Sequence, residues 1–319
     1  MATKNNKEKS DLENEQTFID GESAYDAPEA ISLDSLSLKN YTLEETGRTL
    51  PVGVVHNGER LREFTLNPYV TRYDRILGQL LKGTRNKLVQ VLGNFLPEII
   101  KDIGGYSIQE LASSQSLSGS RFIQNMTLGD ILTILLNARK EAQGDDIAIS
   151  SVCPNCGTKN DDNPEKGRPY HDISTIDIAS VENQFHSKKL TVEVLLKDGL
   201  MIFGEKITKI QMQPLRLYHA ESIAKAEGVP EDMSMLYAMV CAIPESEAYS
   251  NVRGQVFSDE LYDKLTMGDL AILRKAMKVL QPGPKMQIEM ECYNCGHEWE
   301  EMVAWGNLRQ FLYVAPDSN

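Results

Sequence analysis

Nowhere in the 319 residues is there a run of about 18 apolar residues, the length a membrane-spanning helix needs. The first residues, Met1-Ala2-Thr3-Lys4-Asn5-Asn6-Lys7, are polar and charged, unlike a secretion leader. Positive charge is in short supply. Thirty-three Lys and Arg face 46 Asp and Glu, for a net charge of −13 and a pI near 5.0. A nucleic-acid surface needs clustered Lys and Arg, so this balance argues against one. Catalytic signatures are missing too. The chain has no P-loop, no G-x-G-x-x-G, no G-x-S-x-G and no H-E-x-x-H, and its five His are scattered. No catalytic constellation is expected, and the chain reads as a non-enzyme. Cysteine is scarce but ordered: of five, four form two C-x-x-C pairs, and Cys241 stands alone in an apolar run as a small core residue. Free thiols fit a reducing cytoplasm.

The paired cysteines close a stretch that occurs twice. Met126-Thr127-Leu128-Gly129-Asp130 leads to Cys153-Pro154-Asn155-Cys156-Gly157, and Leu265-Thr266-Met267-Gly268-Asp269 leads to Cys292-Tyr293-Asn294-Cys295-Gly296. Gly129 and Gly268, Asp130 and Asp269, Cys153 and Cys292, and Cys156 and Cys295 are each 139 residues apart. Identities at one constant offset point to an internal duplication.

Two thiolates at this spacing on a tight turn are half of a tetrahedral zinc site, and the following Gly lets the backbone curl so its amides approach the sulfurs. Two such knuckles make a closed, structural four-cysteine site with no open position for water. The expected ligands are Cys153, Cys156, Cys292 and Cys295, sharing one Zn2+. The rival readings are a redox dithiol, two disulfides or plain buried cysteines. A thioredoxin-like pair opens a helix, whereas these follow strands and lead into polar loops. His297 is a conceivable substitute ligand, but four matched thiols make it unnecessary, and His171 lies too far past Cys156.

The remaining pattern predicts an α+β fold of two halves. Residues 1–45 are polar and acidic and read as an extended partner-binding arm; 46–168 form the first repeat and 169–319 the second. Each repeat is expected to hold a hairpin, helices, a capped helix, and a strand running into its knuckle. The first hairpin turns at Asn57-Gly58, the second at Asp198-Gly199. Pro68 and Pro214 sit at comparable places beyond the hairpins. Leu88, Val91, Leu92 and Phe95 have helical spacing, as do Leu236, Met239, Val240 and Ile243. Thr127-x-x-Asp130 and Thr266-x-x-Asp269 read as helix-starting boxes, with the Thr capping and the Asp at the positive helix end. Ile131, Leu132, Leu135 and Leu136 on one side, and Leu270, Leu273, Met277 and Leu280 on the other, are core faces. Gly144 and Gly283 turn the chain into alternating strands. The pairs Asp145-Asp146 and Asp161-Asp162 read as solvated loops. The aromatic C-terminal stretch from Trp299 to Tyr313 packs on the body or on a partner.

The order of these motifs, from Thr49-Leu50-Pro51-Val52-Gly53 through Met126–Asp130 to Cys153–Gly157, resembles the baseplate hub and assembly family of T4-like contractile-tailed bacteriophages. The resemblance covers residues 49–157 well and 190–313 weakly. It implies a structural or assembly protein of the tail baseplate, located in the virion and in the host cytoplasm during assembly. It implies other tail and baseplate proteins as partners, met through the arm and helical surfaces, with no nucleic acid and no membrane. A zinc-ribbon regulator binding nucleic acid is the alternative.

Overall fold

The structure, a computed structural model, describes residues 30–68, 70–83, 88–187, 189–226, 229–246, 259–303 and 311–312. Its plan is α+β, and two of its units each run three successive strands in antiparallel order. In the first, Thr49–His56 pairs with Glu59–Leu66, which pairs with Ile100–Ile103, all antiparallel. In the second, Thr191–Ile202 pairs with Glu205–Met212, which pairs with Val240–Ala242. In both units a helix runs directly into the third strand: Leu88–Ile99 in the first, Glu231–Met239 in the second. The expected helical positions of Val240 and Ile243 are therefore corrected, because the helix ends at Met239 and the chain becomes extended at Val240.

The first hairpin turns at Asn57-Gly58, with φ of 52° and 79°, the two positive values that a type I′ turn requires. The second turns at Phe203-Gly204, with φ of 50° and 87°, and not at the expected Asp198-Gly199. Asp198-Gly199 instead lies inside the long strand, where the ladder shifts register between Leu195 and Leu200. It matches the first hairpin's own irregularity between Thr49 and Val54. Gly53 and Gly199, Asn57 and Phe203, Gly58 and Gly204, and Pro68 and Pro214 are all 146 residues apart. Asp-Gly is a strong turn signal in sequence, but here it forms a bulge.

Each box helix packs on its hairpin. Leu128–Gln143 begins where the Thr127 hydroxyl accepts the Asp130 amide at 3.2 Å; Met267–Val279 begins where Thr266 accepts the Asp269 amide at 3.1 Å. The first of these helices is buried on all sides from Gly129 to Arg139. Its Gly129 lies against the backbone of the second half: a Cβ there would sit 1.8 Å from the Pro282 carbonyl oxygen. Gly283, expected to be a turn, belongs to the short strand Gly283–Pro284, which joins Asp177–Val181.

The larger core gathers Leu50, Phe64, Phe95 and Ile131 with Ile173, Leu217, Met286, Phe311 and Leu312, so it draws on residues from both sides of position 168. A second core holds Val192, Leu200, Leu236, Leu270 and Leu273. Cys241 is buried as expected.

Residues 30–45 differ from the expected arm. Ala30–Ser32 adds in parallel to the edge of Thr191–Ile202, Leu38–Thr42 pairs with Asp177–Val181, and Leu43 is buried in the larger core. Alternating apolar residues in this stretch find an open sheet edge, which supplies the core their own segment lacks. Residues 1–29 of that arm lie outside the described residues, as do Trp305, Leu308 and Tyr313.

Candidate metal centre

Each C-x-x-C pair sits at the tip of a small antiparallel ribbon. Ser150–Val152 leads into Cys153, and Lys159–Asp161 returns; Gln287–Glu291 leads into Cys292, and Glu298–Met302 returns. The expected polar loops after the knuckles are thus strands. The two tips are built alike. The Cys153 amide donates to the Thr158 carbonyl at 2.9 Å and the Gly157 amide to the Cys153 carbonyl at 3.0 Å. The counterparts are Cys292 to His297 at 2.8 Å and Gly296 to Cys292 at 2.9 Å. Gly157 and Gly296 adopt φ of 70° and 65°, which lets the turn close under the sulfurs.

The fold brings the two tips together. All four sulfurs lie within 4.8 Å of one another, with Cys153 3.8 Å from Cys295 and Cys156 3.6 Å from Cys292. Four sulfurs held about 2.3 Å from a central ion would stand about 3.8 Å apart. Each close pair takes one cysteine from each knuckle, so the cluster is a junction between distant parts of the chain. Cys153 and Cys292 are buried, while Cys156 and Cys295 face outward.

The surrounding polar groups suit sulfur anions. Asn155 donates through its side-chain amide to Cys295 at 3.7 Å, and Asn294 donates to Cys156 at 3.8 Å. These two Asn are 139 residues apart and reach across the cluster in opposite senses. Asn160, fully buried, donates to Cys292 at 3.8 Å and accepts the Tyr293 amide at 3.0 Å. The sequence pattern singled out the cysteines and not these amides, although Asn155 and Asn294 each stand between the two cysteines of a pair. Hydrogen bonds from the Thr158 hydroxyl and amide pull the Cys156 thiol down to about 5. Cys295 receives a lowering bond from the His297 amide. Burial and the adjoining sulfurs of Cys156 and Cys292 outweigh it and push the thiol up to about 11. Four sulfurs this close cannot all carry charge unless a cation offsets their repulsion.

Neighbouring residues brace the junction. The Arg168 guanidinium lies 4.2 Å over the Tyr293 ring, whose hydroxyl donates to Asp162 at 3.4 Å. Asp162 is not the solvated loop residue expected: its side chain is shielded and accepts the Ile149 amide at 2.8 Å. Ser151 donates to Glu301 across the two ribbons. His297 is exposed and stacks on Trp299, outside the sulfur group, and His171 pairs with Asp162 instead. Among the described residues, the cluster that could hold a metal ion consists of these four cysteines.

No helix among the described residues is long and apolar enough to cross a membrane. No curated protein and no solved structure matches the chain. One family model does, described as T4 bacteriophage base plate protein, over residues 98–312. That range takes in both knuckles and residues 169–312 of the second half; it starts beyond the Thr49–Leu66 hairpin, where the resemblance was expected to be strong. Since the match covers well over half of the 319 residues, the chain belongs to the T4 bacteriophage base plate protein family.

Proposed function

We propose that this protein is a non-catalytic structural or assembly component of a phage tail baseplate, clamped by one structural zinc ion shared between its two halves. Membership of the base plate family supports the setting. The observation that carries the clamp is the meeting of four sulfurs, from knuckles 139 residues apart, within 4.8 Å. Cys153, Cys156, Cys292 and Cys295 would be the ligands, and an all-sulfur tetrahedral site favours zinc over the hard cations that oxygen ligands select. Bound there, the ion closes a loop as long as a domain, which ties the two ribbons to each other rather than shaping either one. Asn155, Asn160 and Asn294 orient and partly neutralise the thiolates.

The two halves are read as an internal duplication, split near residue 168. The 139-residue register of boxes and knuckles supports this, as do the 146-residue register of the hairpins and the reciprocal Asn155 and Asn294 contacts. The exposed helical surfaces and the N-terminal residues would meet neighbouring tail proteins, in the host cytoplasm during assembly and then in the virion.

Elemental analysis of purified protein tests the clamp, with one zinc per chain expected. Two per chain, or none with two disulfides, would refute it. Mass spectrometry of purified particles tests the baseplate role, with the protein expected in tails.

A further inference from the structure

Each sulfur of the candidate metal centre faces a sulfur of the other knuckle. Cys156 stands 3.6 Å from Cys292, and Cys153 stands 3.8 Å from Cys295. Each of these pairs joins an exposed cysteine to a buried one: Cys156 and Cys295 are exposed, Cys292 and Cys153 buried. Neighbouring groups hold the sulfurs face to face. Asn155 and Asn294 each reach from between the cysteines of one knuckle to a sulfur of the other. The Tyr293 amide donates to the Asn160 side chain across the two tips at 3.0 Å. Closing a contact of 3.8 Å to the about 2.05 Å of a disulfide moves each sulfur by only about 0.9 Å.

We propose that this cluster is a redox latch, in which a hydroperoxide converts the four thiolates into two crossed disulfides, Cys156–Cys292 and Cys153–Cys295. The proposal deepens the clamp reading, as the regulation of that same site, but it needs only that the four sulfurs meet. An exposed thiolate, Cys156 or Cys295, attacks one peroxide oxygen. The O–O bond breaks, a sulfenic acid forms, and hydroxide leaves to become water. The buried sulfur opposite then attacks the sulfenic sulfur. The S–S bond forms, the S–O bond breaks, and a second hydroxide leaves to become water. For each disulfide, two sulfurs give up two electrons, one peroxide accepts them, and two protons come from solvent.

The outcome differs from a pair closed within one knuckle. Cys153 and Cys295 are 142 residues apart, and Cys156 and Cys292 are 136 apart, so each crossed bond ties one ribbon to the other. A bond from Cys153 to Cys156, or from Cys292 to Cys295, would leave the ribbons unjoined. Disulfide sulfurs carry no charge and no longer hold a cation. Thiolates persist in a reducing cytoplasm and disulfides in oxidising surroundings, so the latch keeps the ribbons tied in both.

Peptide mapping of the full chain tests this. The protein is purified under reductant, loaded with zinc, freed of reductant, treated with hydrogen peroxide, alkylated and cut with trypsin. One tryptic peptide, 141–159, holds both cysteines of the first knuckle, and another, 286–309, holds both of the second. The expected product is these two peptides joined by two disulfides, with one zinc released per chain to a chelating dye and rebound after reduction. Cys153→Ser with Cys295→Ser, and Cys156→Ser with Cys292→Ser, each leave one crossed pair and should still join the peptides. Cys156→Ser with Cys295→Ser leaves two buried sulfurs and should lower the joined yield at least about tenfold, since peroxide reaches neither. Circular dichroism spectra matching the parent exclude unfolding as the cause. Unjoined peptides, each with its own internal disulfide or with sulfinic acids, would overturn the latch even where zinc had been bound. Crossed disulfides in a chain that had bound no zinc would support the latch and sink the clamp.

Discussion

Asp130 and Asp269, 139 residues apart and both fully buried, each hold the bulge of a hairpin by its backbone. Asp130 accepts the amides of Val52 at 2.8 Å and Gly53 at 3.2 Å; Asp269 accepts those of Lys197 at 2.7 Å, Asp198 at 3.1 Å and Gly199 at 2.9 Å. The bulge turns several N–H groups to one side, where the ladder offers them no partner, and one carboxylate satisfies them together. Burial pushes the Asp130 carboxyl up, while the Val52 and Gly53 amides, the Thr127 hydroxyl and Arg60 act to lower it.

Replacing this carboxylate strands buried amides. Asp130→Ala should destabilise the protein by about 3 kcal/mol, and Asp269→Ala by a similar amount, since unsatisfied buried groups cost about 1–3 kcal/mol each. Asp130→Asn, which keeps one acceptor oxygen, should cost less. Urea unfolding measures all three, and equal midpoints for Ala and Asn would contradict the role assigned to the carboxylate.

The box glycines should respond in opposite directions. Gly129→Ala forces a Cβ to within 1.8 Å of the Pro282 carbonyl, so the halves must separate locally. An overpacking cost of about 3 kcal/mol or more is expected. At Gly268 the nearest atom to an added Cβ is the Asp198 Oδ2 at 3.4 Å, so Gly268→Ala should be neutral or stabilise by up to about 1 kcal/mol through helix propensity. Paired thermal melts of the two variants decide this.

Metal removal should loosen the junction of the halves more than either core. Chelation, or Cys156→Ser with Cys295→Ser, should cost about 4 kcal/mol if free zinc is near 1,000 times its dissociation constant. Hydrogen exchange should rise first at the ribbons 150–161 and 287–302. Uniform loss of protection, including the helix Leu128–Gln143, would contradict a clamp between halves.

Acid should weaken the fold through His219. Burial, then the charges of Arg216 and Lys189, hold its imidazole down to about 3. Its Nδ1 accepts the Arg216 amide at 3.1 Å, a bond the protonated ring cannot make. The unfolded chain takes up this proton near pH 6.5 and the folded one only near 3, so stability is lost as pH falls from 6.5 towards 3. The loss should be about 2 kcal/mol by pH 5 at 1.36 kcal/mol per unit. His219→Gln should flatten this part of the pH–stability curve; an unchanged slope would assign the acid sensitivity elsewhere.

Phe203 occupies a left-handed position that side chains of its kind rarely adopt. Phe203→Asn, which installs the residue found at the matching Asn57, should stabilise the second hairpin by about 1 kcal/mol. A fall in melting temperature would mean that the exposed ring contributes more than its backbone costs.

Much of the fold was legible because its signals are local. Asn57-Gly58 specified its turn by conformational preference, Thr127 and Thr266 announced their helices by capping, and the C-x-x-C-Gly pairs announced their tight tips. The constant register of the boxes and knuckles was likewise written in the chain. What the sequence could not carry was pairing at a distance. Asp198-Gly199 has the composition of a turn, yet it became a bulge because Asp269 accepts its amides and the Phe203-Gly204 turn closes the hairpin beyond it. Residues 30–45 looked unable to build a core, and they do not build one; they borrow sheet edges from residues 135 to 161 positions away, and Leu43 enters a core built by other segments. The four cysteines were visible as two pairs. Only the packing of Gly129 on Pro282 and Gly283, and of the ribbons on each other, put Cys153 beside Cys295 and Cys156 beside Cys292, because sulfur–sulfur distance across 139 residues is a property of docked surfaces and not of spacing.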